Sequence, residues 1–428
     1  MTLTIARVTL AIMISLVGAS QAFCQEKSPP GKARNFKNQK LAIVGDSITE
    51  RLVYSKYLET YLRVTNPDAK MKIIQYGWTG EKASDFLRRM DNDVVSWKPG
   101  IVTVCYGMND GGVVKYNDDI GSSYEKNMRA IVKKLSDFGT QVFVASPGVV
   151  DSDTFKRPTV TASDYNENLD RLAGIARKIA SEFNMSYVDV NGVMMKSMMV
   201  AKTALGNSYS IGVLDGVHYD PNGHLLMTYA FLKAMGVDGN IGKINMDFKS
   251  GKAEATEGHK ILKGESGKAK IQSSKYPFCF ESGPKSPASI LPFVPFQEDL
   301  NRLTLVVTNL PSDKAEIIWG DAKKTFTKKQ LEKGVNLAAE FVDDNPFKKP
   351  FFEVMANIQK KQTFEIALTR LVLTNIPNLD NIFKDDKEIE DAKNVIRKKM
   401  YERDEQLQQK VISSVKPVIH EISILPLK

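Results

Sequence analysis

The sequence predicts an α/β fold in which a parallel five-stranded sheet is covered on both faces by helices. Between residues 39 and 236, five short apolar stretches alternate with amphipathic stretches of helical length. Near-continuous apolar strands are typical of a parallel sheet that is buried on both faces. After residue 236 the pattern changes to short alternating segments and then to helical periodicity. This change predicts a smaller β-rich module followed by C-terminal helices.

The individual elements follow from local composition. The strand candidates are short and rich in apolar or β-branched residues: 41–44, 72–76, 101–106, 141–145 and 187–190. Amphipathic helices are predicted near 50–64, 81–90, 122–138, 163–183 and 222–235. Because the active sites of such sheets lie beyond the carboxyl ends of the strands, the loops that follow the strands are where chemistry is expected.

The chain is predicted to divide into successive segments. These are a signal peptide (1–22), a flexible leader (23–38), a catalytic domain (39–236), a β-rich module (237–327) and a helical C-terminal region (328–428). Within the last region, residues 389–412 show three- and four-residue apolar spacing, which predicts one amphipathic helix docked on its own protein.

The N-terminus predicts export. Arg7 precedes an apolar stretch that ends in the small-x-small sequence Ser20-Gln21-Ala22, so cleavage is expected near Ala22. Cys24 raises the alternative of a lipid anchor, which the bulky Phe23 before it disfavours. No other run of residues approaches the length of a transmembrane segment. The expected location is therefore periplasmic or secreted.

Composition excludes several classes of function. The net charge of +9 is not organised into basic blocks with interleaved aromatic residues, so no nucleic-acid partner is predicted. Four scattered histidines and three separated cysteines predict no metal site, and no cofactor is expected. Cys105 lies in an apolar strand and is predicted to be a buried free thiol. The segment 264–269 lacks the spacing of a phosphate-binding loop, and no G-x-S-x-G elbow is present.

The loops after the predicted strands carry the side chains of a serine hydrolase. Ser47 follows the first strand, and Asp215 and His218 share one loop after the fifth strand. A serine hydroxyl is a poor nucleophile unless a base takes its proton, and an imidazole is suited to that role. Asp215 can accept the other ring N–H of His218 and stabilise the imidazolium that forms. The three residues are therefore the candidate catalytic set.

The same loops supply donors for an oxyanion. The backbone N–H groups of Ser47 and Gly80 and the side-chain amide of Asn109 are suitable in type. Glycine at position 80 lets a backbone donor approach without an intervening side chain. Trp78, between two glycines, is a candidate substrate-binding residue or a packing residue.

Four sequence blocks in order resemble the SGNH, or GDSL, hydrolase superfamily: GDSIT, YGWTGE, YGMND and DGVH. The resemblance covers residues 40–236 and implies a flavodoxin-like three-layer α/β/α fold. By matching position it also implies a nucleophile (Ser47), a base (His218), an orienting acid (Asp215) and oxyanion donors (Gly80 and Asn109). Many members carry Asn where Gln75 or Tyr76 stands here, so the turn before Gly77 is open to difference. The region after 236 resembles an extension of bacterial SGNH proteins whose substrate is unassigned.

The resemblance implies an esterase that forms an acyl-enzyme. A small acyl group, such as acetyl, on a carbohydrate is the leading substrate, with a polysaccharide or small-molecule ester as the partner. A lipase, lysophospholipase or thioesterase is the alternative enzyme. A glycan- or cell-wall-binding protein on the same fold is the alternative of another class. Acyl length, oligomeric state and the role of residues 237–428 stay open.

Several conspicuous polar residues are given structural roles. Asp46 is expected to tie down the turn before Ser47, and Asp110 to hold its loop. His224 is expected to pack or cap at a helix start. His259 and His420 lie outside the four blocks and are predicted to be surface residues.

Overall fold

A computed structural model describes residues 36–428; the predicted signal peptide, Cys24 and most of the predicted leader lie outside the described residues. The strands are β1 (Lys40–Gly45), β2 (Lys72–Gln75), β3 (Ile101–Cys105), β4 (Gln141–Ala145), β5 (Ser186–Val188), β6 (Asn240–Asp247), β7 (Ala253–Ala255), β8 (His259–Glu265), β9 (Lys268–Ser273), β10 (Arg302–Thr308), β11 (Lys314–Trp319), β12 (Ala322–Thr327), β13 (Val335–Asn336) and β14 (Val418–Leu427).

The α-helices alternate with the first five strands and return after the β-rich part. They are α1 (Ser47–Glu50), α2 (Tyr54–Thr65), α3 (Ala83–Asp93), α4 (Asp118–Asp137), α5 (Ala162–Glu182), α6 (Val190–Leu205), α7 (Pro221–Ala234), α8 (Pro287–Ile290), α9 (Phe296–Leu300), α10 (Lys328–Lys333), α11 (Leu337–Glu340), α12 (Lys348–Ala367) and α13 (Lys387–Ser414). A π-helical segment, Leu368–Asn375, continues α12 and leads into a 3₁₀ turn, Ile376–Asn381.

The first sheet confirms the predicted fold. Its five strands are parallel and lie in the order β2-β1-β3-β4-β5. This is the flavodoxin-like order, in which the chain changes direction between β1 and β3. The crevice at that switch point lies beyond the carboxyl ends of these two strands. Ser47 follows β1 directly, so the fold delivers it to the expected ligand-binding edge.

Two helical features differ from the sequence prediction. Helix α6 was not predicted, because its apolar residues surround the axis instead of forming one stripe: Met199 and Val200 remain exposed while Met194 and Met198 are buried. The helix predicted over 50–64 is divided into α1 and α2 by a turn with a positive φ of 59° at Leu52.

Two further sheets form the β-rich part, and the chain end belongs to one of them. The strand orders are β13-β10-β6-β7 and β12-β11-β14-β9-β8. Strand β14, at the C-terminus, lies in the middle of the second sheet between β11 and β9. The prediction of a helical region over 328–428 is therefore corrected in two places. Strand β13 interrupts it and pairs with β10, and β14 ends it, where buried residues such as Ile422 and Ile424 alternate with more exposed ones.

The prediction that His259 and His420 lie on the surface is wrong. Both are buried, and one chain of hydrogen bonds joins them across the β-rich part. The Trp319 indole donates to His420 Nδ1 at 3.1 Å. Ser273 Oγ lies 2.9 Å from His420 Nε2 and 2.7 Å from His259 Nδ1. His259 Nε2 lies 2.9 Å from the Ile241 carbonyl oxygen, so the chain ends on strand β6.

Candidate active site

Ser47 is presented by a strand–turn–helix junction. At Gly45 a Cβ would lie 2.2 Å from Thr49 Oγ1 and 2.9 Å from the Cys105 carbonyl oxygen, so only glycine fits the turn. Asp46 then caps α1 by accepting the Ile48 N–H at 2.9 Å. Burial raises the pKa of Asp46 to about 7. These contacts confirm the structural role predicted for Asp46 and leave Ser47, half-buried, as the first residue of the helix.

The structure brings Ser47, His218 and Asp215 into one hydrogen-bonded row. Ser47 Oγ lies 2.9 Å from His218 Nε2, and His218 Nδ1 lies 2.7 Å from Asp215 Oδ2. Partial burial favours a higher pKa for Asp215, but hydrogen bonds from the backbone and ring of His218 and from the Val217 N–H lower it to about 2. An ionised Asp215 holds the ring tautomer in which Nε2 is free to accept the serine proton.

The turn between Asp215 and His218 depends on a glycine. Gly216 has a φ of +68°, and a Cβ there would lie 2.2 Å from the Phe155 backbone. Asp215 Oδ1 also accepts the backbone N–H groups of Val217 and His218, each at 2.9 Å. The carboxylate is thus fixed by its own turn before it meets the imidazole.

The loop that carries Gly80 is tied to the same edge of the sheet. The Trp78 N–H donates to the Gly45 carbonyl oxygen at 3.0 Å, directly beside Ser47. Gly80 is exposed with a φ of +76° and has open space where a Cβ would lie. Asn109 Nδ2 donates to the Glu81 carbonyl oxygen at 3.0 Å, which leaves its second hydrogen for another acceptor. These hydrogen bonds tie the Gly80 loop to the turn before Ser47 and tie Asn109 to the residue that follows Gly80.

Asp110 and His224 have the structural contacts expected of them. Asp110 accepts the Ala83 N–H at 3.1 Å, which joins the β3 loop to the start of α3. His224 is fully buried in α7, where its ring contacts Tyr54 and Tyr219. The packing role predicted for His224 is confirmed.

Three residues that shape the site were missed from the sequence. Arg89 of α3 pairs with Glu81 through two contacts of 2.5 and 2.6 Å, and Glu81 also accepts the Tyr106 hydroxyl at 2.5 Å. Burial raises the pKa of Glu81, although Arg89 and Tyr106 oppose the shift. Glu50 accepts the Thr79 N–H at 2.7 Å. The available signal was position in the sequence, because Glu81 is the last residue of YGWTGE and Glu50 lies three residues after Ser47.

A cleft of about 540 Å³ adjoins Gly80 and is shared between both halves of the chain. One wall comes from Trp78, Gly80 and α3, and the other comes from Leu373, Thr374 and the 3₁₀ turn that follows. The Trp78 ring lines this cleft and lies 5.4 Å from the Arg89 guanidinium and 5.1 Å from that of Arg370. Trp78 and Gly80 thus line this cleft, whereas Ser47 and His218 do not.

Other predicted features concern cysteines, metals and membranes. Cys105 is a buried free thiol, as predicted, and Cys279 is likewise free and buried. Within residues 36–428, no group of three or more His, Cys, Asp or Glu side chains is arranged to bind a metal ion. Across the same range, no helix combines the length and apolar character needed to cross a bilayer.

Comparison with known proteins relates the first half of the chain to a hydrolase family. Residues 43–226 match the model of the GDSL-like lipase/acylhydrolase family. An acetylxylan esterase of Geobacillus stearothermophilus is 21% identical over 224 residues, which is 47% of this chain and 95% of that protein. A crystal structure of an acetylxylan esterase from that organism covers 47% of this chain and 97% of its own, with 21% identity and a TM-score of 0.40.

One solved structure matches nearly the whole chain. It is a gut microbial diltiazem-metabolizing enzyme, 21% identical, which covers 91% of this chain and 98% of its own with a TM-score of 0.74. The chain thus shares its fold with that enzyme beyond the parallel sheet, through the β-rich part and the C-terminal helices. With its family match and its parallel sheet, the segment 43–226 belongs to the SGNH/GDSL superfamily and is a hydrolase domain for carboxylic esters.

Proposed function

We propose that this protein hydrolyses an ester through an acyl-enzyme formed on Ser47. The observation that carries the proposal is the row of hydrogen bonds from Ser47 Oγ through His218 to Asp215, at 2.9 and 2.7 Å. Ser47 Oγ attacks the ester carbonyl carbon while His218 Nε2 takes its proton. The imidazolium then gives that proton to the departing alcohol. Water, activated by the same nitrogen, attacks the acyl-enzyme and releases the acid.

The negative charge that develops on the carbonyl oxygen requires fixed donors. In this proposal the backbone N–H groups of Ser47 and Gly80 and the free amide hydrogen of Asn109 supply them. The hydrogen bonds from Trp78 to Gly45 and from Asn109 to the Glu81 carbonyl support this assignment, because they hold the donor-bearing loops before substrate arrives. Donors that need no rearrangement are the most effective in stabilising a transition state.

The substrate proposed is a small acyl ester of a carbohydrate. The cleft beside Gly80 does not include Ser47 or His218 in its lining, but it adjoins the Gly80 loop and is lined largely by hydrogen-bonding side chains, among them Asp85, Asn92 and Asn378. Such a lining suits the hydroxyl-rich alcohol of a sugar ester better than a long alkyl chain, which needs apolar contact. The sequence similarity to an acetylxylan esterase points to the same class. Trp78 is the proposed aromatic contact of the alcohol part.

The first experiment is hydrolysis of p-nitrophenyl acetate by the wild type and by Ser47→Ala. Loss of a serine nucleophile lowers kcat by roughly 10⁴-fold or more in hydrolases of this kind. Ser122→Ala, an exposed serine on α4, is the matched control and should keep wild-type activity. A fluorophosphonate should add its mass to the wild type and not to Ser47→Ala.

Other outcomes would select the alternatives. Equal hydrolysis by the wild type and Ser47→Ala would contradict the nucleophile assignment. A steep preference for long acyl chains would favour a lipase or lysophospholipase. Failure of the fluorophosphonate to label the wild type, together with glycan binding, would favour a binding protein on this fold.

The proposed location is outside the cytoplasm. Its support is the basic and apolar pattern of residues 1–22 and the cleavage sequence that ends at Ala22. An extracytoplasmic enzyme would meet polysaccharide esters directly, which is consistent with the proposed substrate.

A further inference from the structure

The C-terminal half of the chain contacts the loop that carries Gly80. The contact is made by Arg370, in the π-helical segment that continues α12. Its Nη2 lies 2.5 Å from Glu50 Oε1, and its guanidinium lies 5.1 Å from the centre of the Trp78 ring. The ion pair thus joins residues that are 320 positions apart in the sequence.

Glu50 contacts both Arg370 and the loop that carries Gly80. It ends α1, three residues after Ser47, and its side chain is only 10% exposed. While Oε1 faces Arg370, Oε2 accepts the Thr79 N–H at 2.7 Å and also the Thr79 hydroxyl. Thr79 is the residue before Gly80, so the carboxylate fixes the peptide next to the proposed oxyanion donor.

A second connection reaches the same loop from α12. Glu365 Oε2 accepts the Gln75 N–H at 3.0 Å, and Gln75 Oε1 in turn accepts the Gly77 N–H at 2.9 Å. At Gly77 a Cβ would lie 2.4 Å from the Glu50 nitrogen, so the loop packs directly on the backbone of α1. The start and the middle of the loop are therefore both held by side chains that the C-terminal helices support.

We propose that Arg370 is a positioning residue for ester hydrolysis. Through Glu50 and Thr79 it sets where the Gly80 N–H lies relative to Ser47. A nearly buried carboxylate that loses its counter-ion must turn toward water, and it would then release Thr79. When a donor is misplaced by a fraction of an ångström, the stabilisation of the transition state falls more than the binding of the substrate. The inference rests on the proposed function, because it requires that Gly80 donates to the oxyanion.

The test is the kinetics of Arg370→Met with p-nitrophenyl acetate, a substrate too small to need the rest of the cleft. We expect kcat to fall roughly 10- to 100-fold, less than or equal to the loss of one oxyanion donor, while KM changes by less than about twofold. The matched control is Arg129→Met. Arg129 is 36% exposed against 38% for Arg370, and it pairs with Glu125 and Glu182 on α4 and α5. It should retain wild-type kcat.

A double variant distinguishes positioning from loss of stability. Glutamine at position 50 keeps an acceptor for Thr79 and needs no counter-ion, so Glu50→Gln should remove the dependence on Arg370. We expect the Arg370→Met/Glu50→Gln double variant to lose no more kcat than Arg370→Met alone. Additive losses would overturn the inference. Should Arg370→Met fail to fold, Arg370→Lys keeps the charge and should show a kcat between those of Glu50→Gln and the wild type.

The two proposals fail separately. If Ser47→Ala is inactive while Arg370→Met matches Arg129→Met, the positioning role is wrong and the proposed function stands. If Ser47→Ala retains activity, the proposed function itself is wrong. A rise in KM at unchanged kcat would also overturn the inference, because it would make Arg370 a substrate contact.

Discussion

At the scale of single residues, the residues around Ser47 differ in how far along the sequence their contact partners lie. Asp46 caps the N–H of Ile48, its near neighbour in the sequence, so a local motif was enough to predict its role. The roles of Glu50 and Arg370 depend on a contact that spans 320 residues, for which a single sequence contains no signal. The candidate catalytic residues were recognisable because they lie in short sequence blocks, Ser47 in GDSIT and both Asp215 and His218 in DGVH.

The burial of His259 and His420 could not be predicted from their positions in the sequence. The indole of Trp319 can only donate, so His420 Nδ1 must accept and its Nε2 must carry the hydrogen. The same logic gives His259 the Nε2–H form, because that nitrogen faces the Ile241 carbonyl oxygen. In this row of hydrogen bonds, every donor has an acceptor only while both imidazole rings are neutral.

We predict that His420 stays neutral well below neutral pH. Burial, with a smaller effect of His259, lowers its pKa to about 3. In the unfolded chain a histidine titrates near pH 6.5, at about its unperturbed pKa. The contribution of the neutral ring to stability is therefore complete above about pH 6.5 and is lost as the pH falls toward about 3.

NMR of selectively ¹⁵N-labelled histidine measures this directly. The His420 signal should show the Nε2–H tautomer and remain unchanged from pH 7 to about pH 5, the range above its lowered pKa. The same signal in urea-unfolded protein is the control and should titrate near pH 6.5. A midpoint above about pH 5 in the folded protein would contradict the hydrogen-bond assignment.

At the scale of elements, the C-terminal helices α12 and α13 cover one edge of the parallel sheet. Strand β2 is an edge strand, and unpaired backbone groups on such a strand invite aggregation. In this protein, side chains of α12 and α13 form hydrogen bonds with the backbone groups of β2. Lys361 Nζ donates to the Ile73 carbonyl oxygen at 2.6 Å, Glu365 accepts the Gln75 N–H, and Gln408 contacts both backbone groups of Ile73.

We predict that Gln408→Ala destabilises the protein by about 2–4 kcal/mol, since it leaves several buried groups unpaired. Gln408 is fully buried on α13; it also accepts from Arg63 Nη2 at 2.8 Å. Gln409→Ala, on the exposed side of the same helix, is the control and should change stability by less than about 0.5 kcal/mol. Urea unfolding measures both. Equal effects would show that the cover of the edge contributes nothing specific.

Prediction from the sequence succeeded for elements whose signal is local. The five strands and most helices of the α/β part were found because their periodicity is carried by five to twenty neighbouring residues. It failed for β14, whose pairing partners β9 and β11 lie about 100 residues or more away. Which strand lies at the edge, and what covers it, likewise depends on distant residues.

At the scale of the whole molecule, one core joins the predicted catalytic domain to the rest. The buried cluster that contains Tyr54 and Phe231 of the α/β part continues into Phe278 and Trp319 of the β-rich part. On the other face of the sheet, Leu368 belongs to the cluster under α3 and α4. A boundary at residue 236 therefore divides the sequence by pattern but cuts through a continuous core.

We predict that the chain unfolds in one cooperative transition and that residues 37–236 alone do not form a soluble folded unit. Removal of 237–428 would expose the edge of β2 and leave buried Glu59 without Lys361, whose Nζ lies 3.0 Å from its carboxylate. Calorimetry of the full chain should give a ratio of calorimetric to van't Hoff enthalpy near one, roughly the two-state value. Two separate transitions would show that the two halves unfold independently. A soluble 37–236 fragment with wild-type kcat on p-nitrophenyl acetate would show that the C-terminal half is an independent module, and that the contact between Arg370 and Glu50 is dispensable for catalysis.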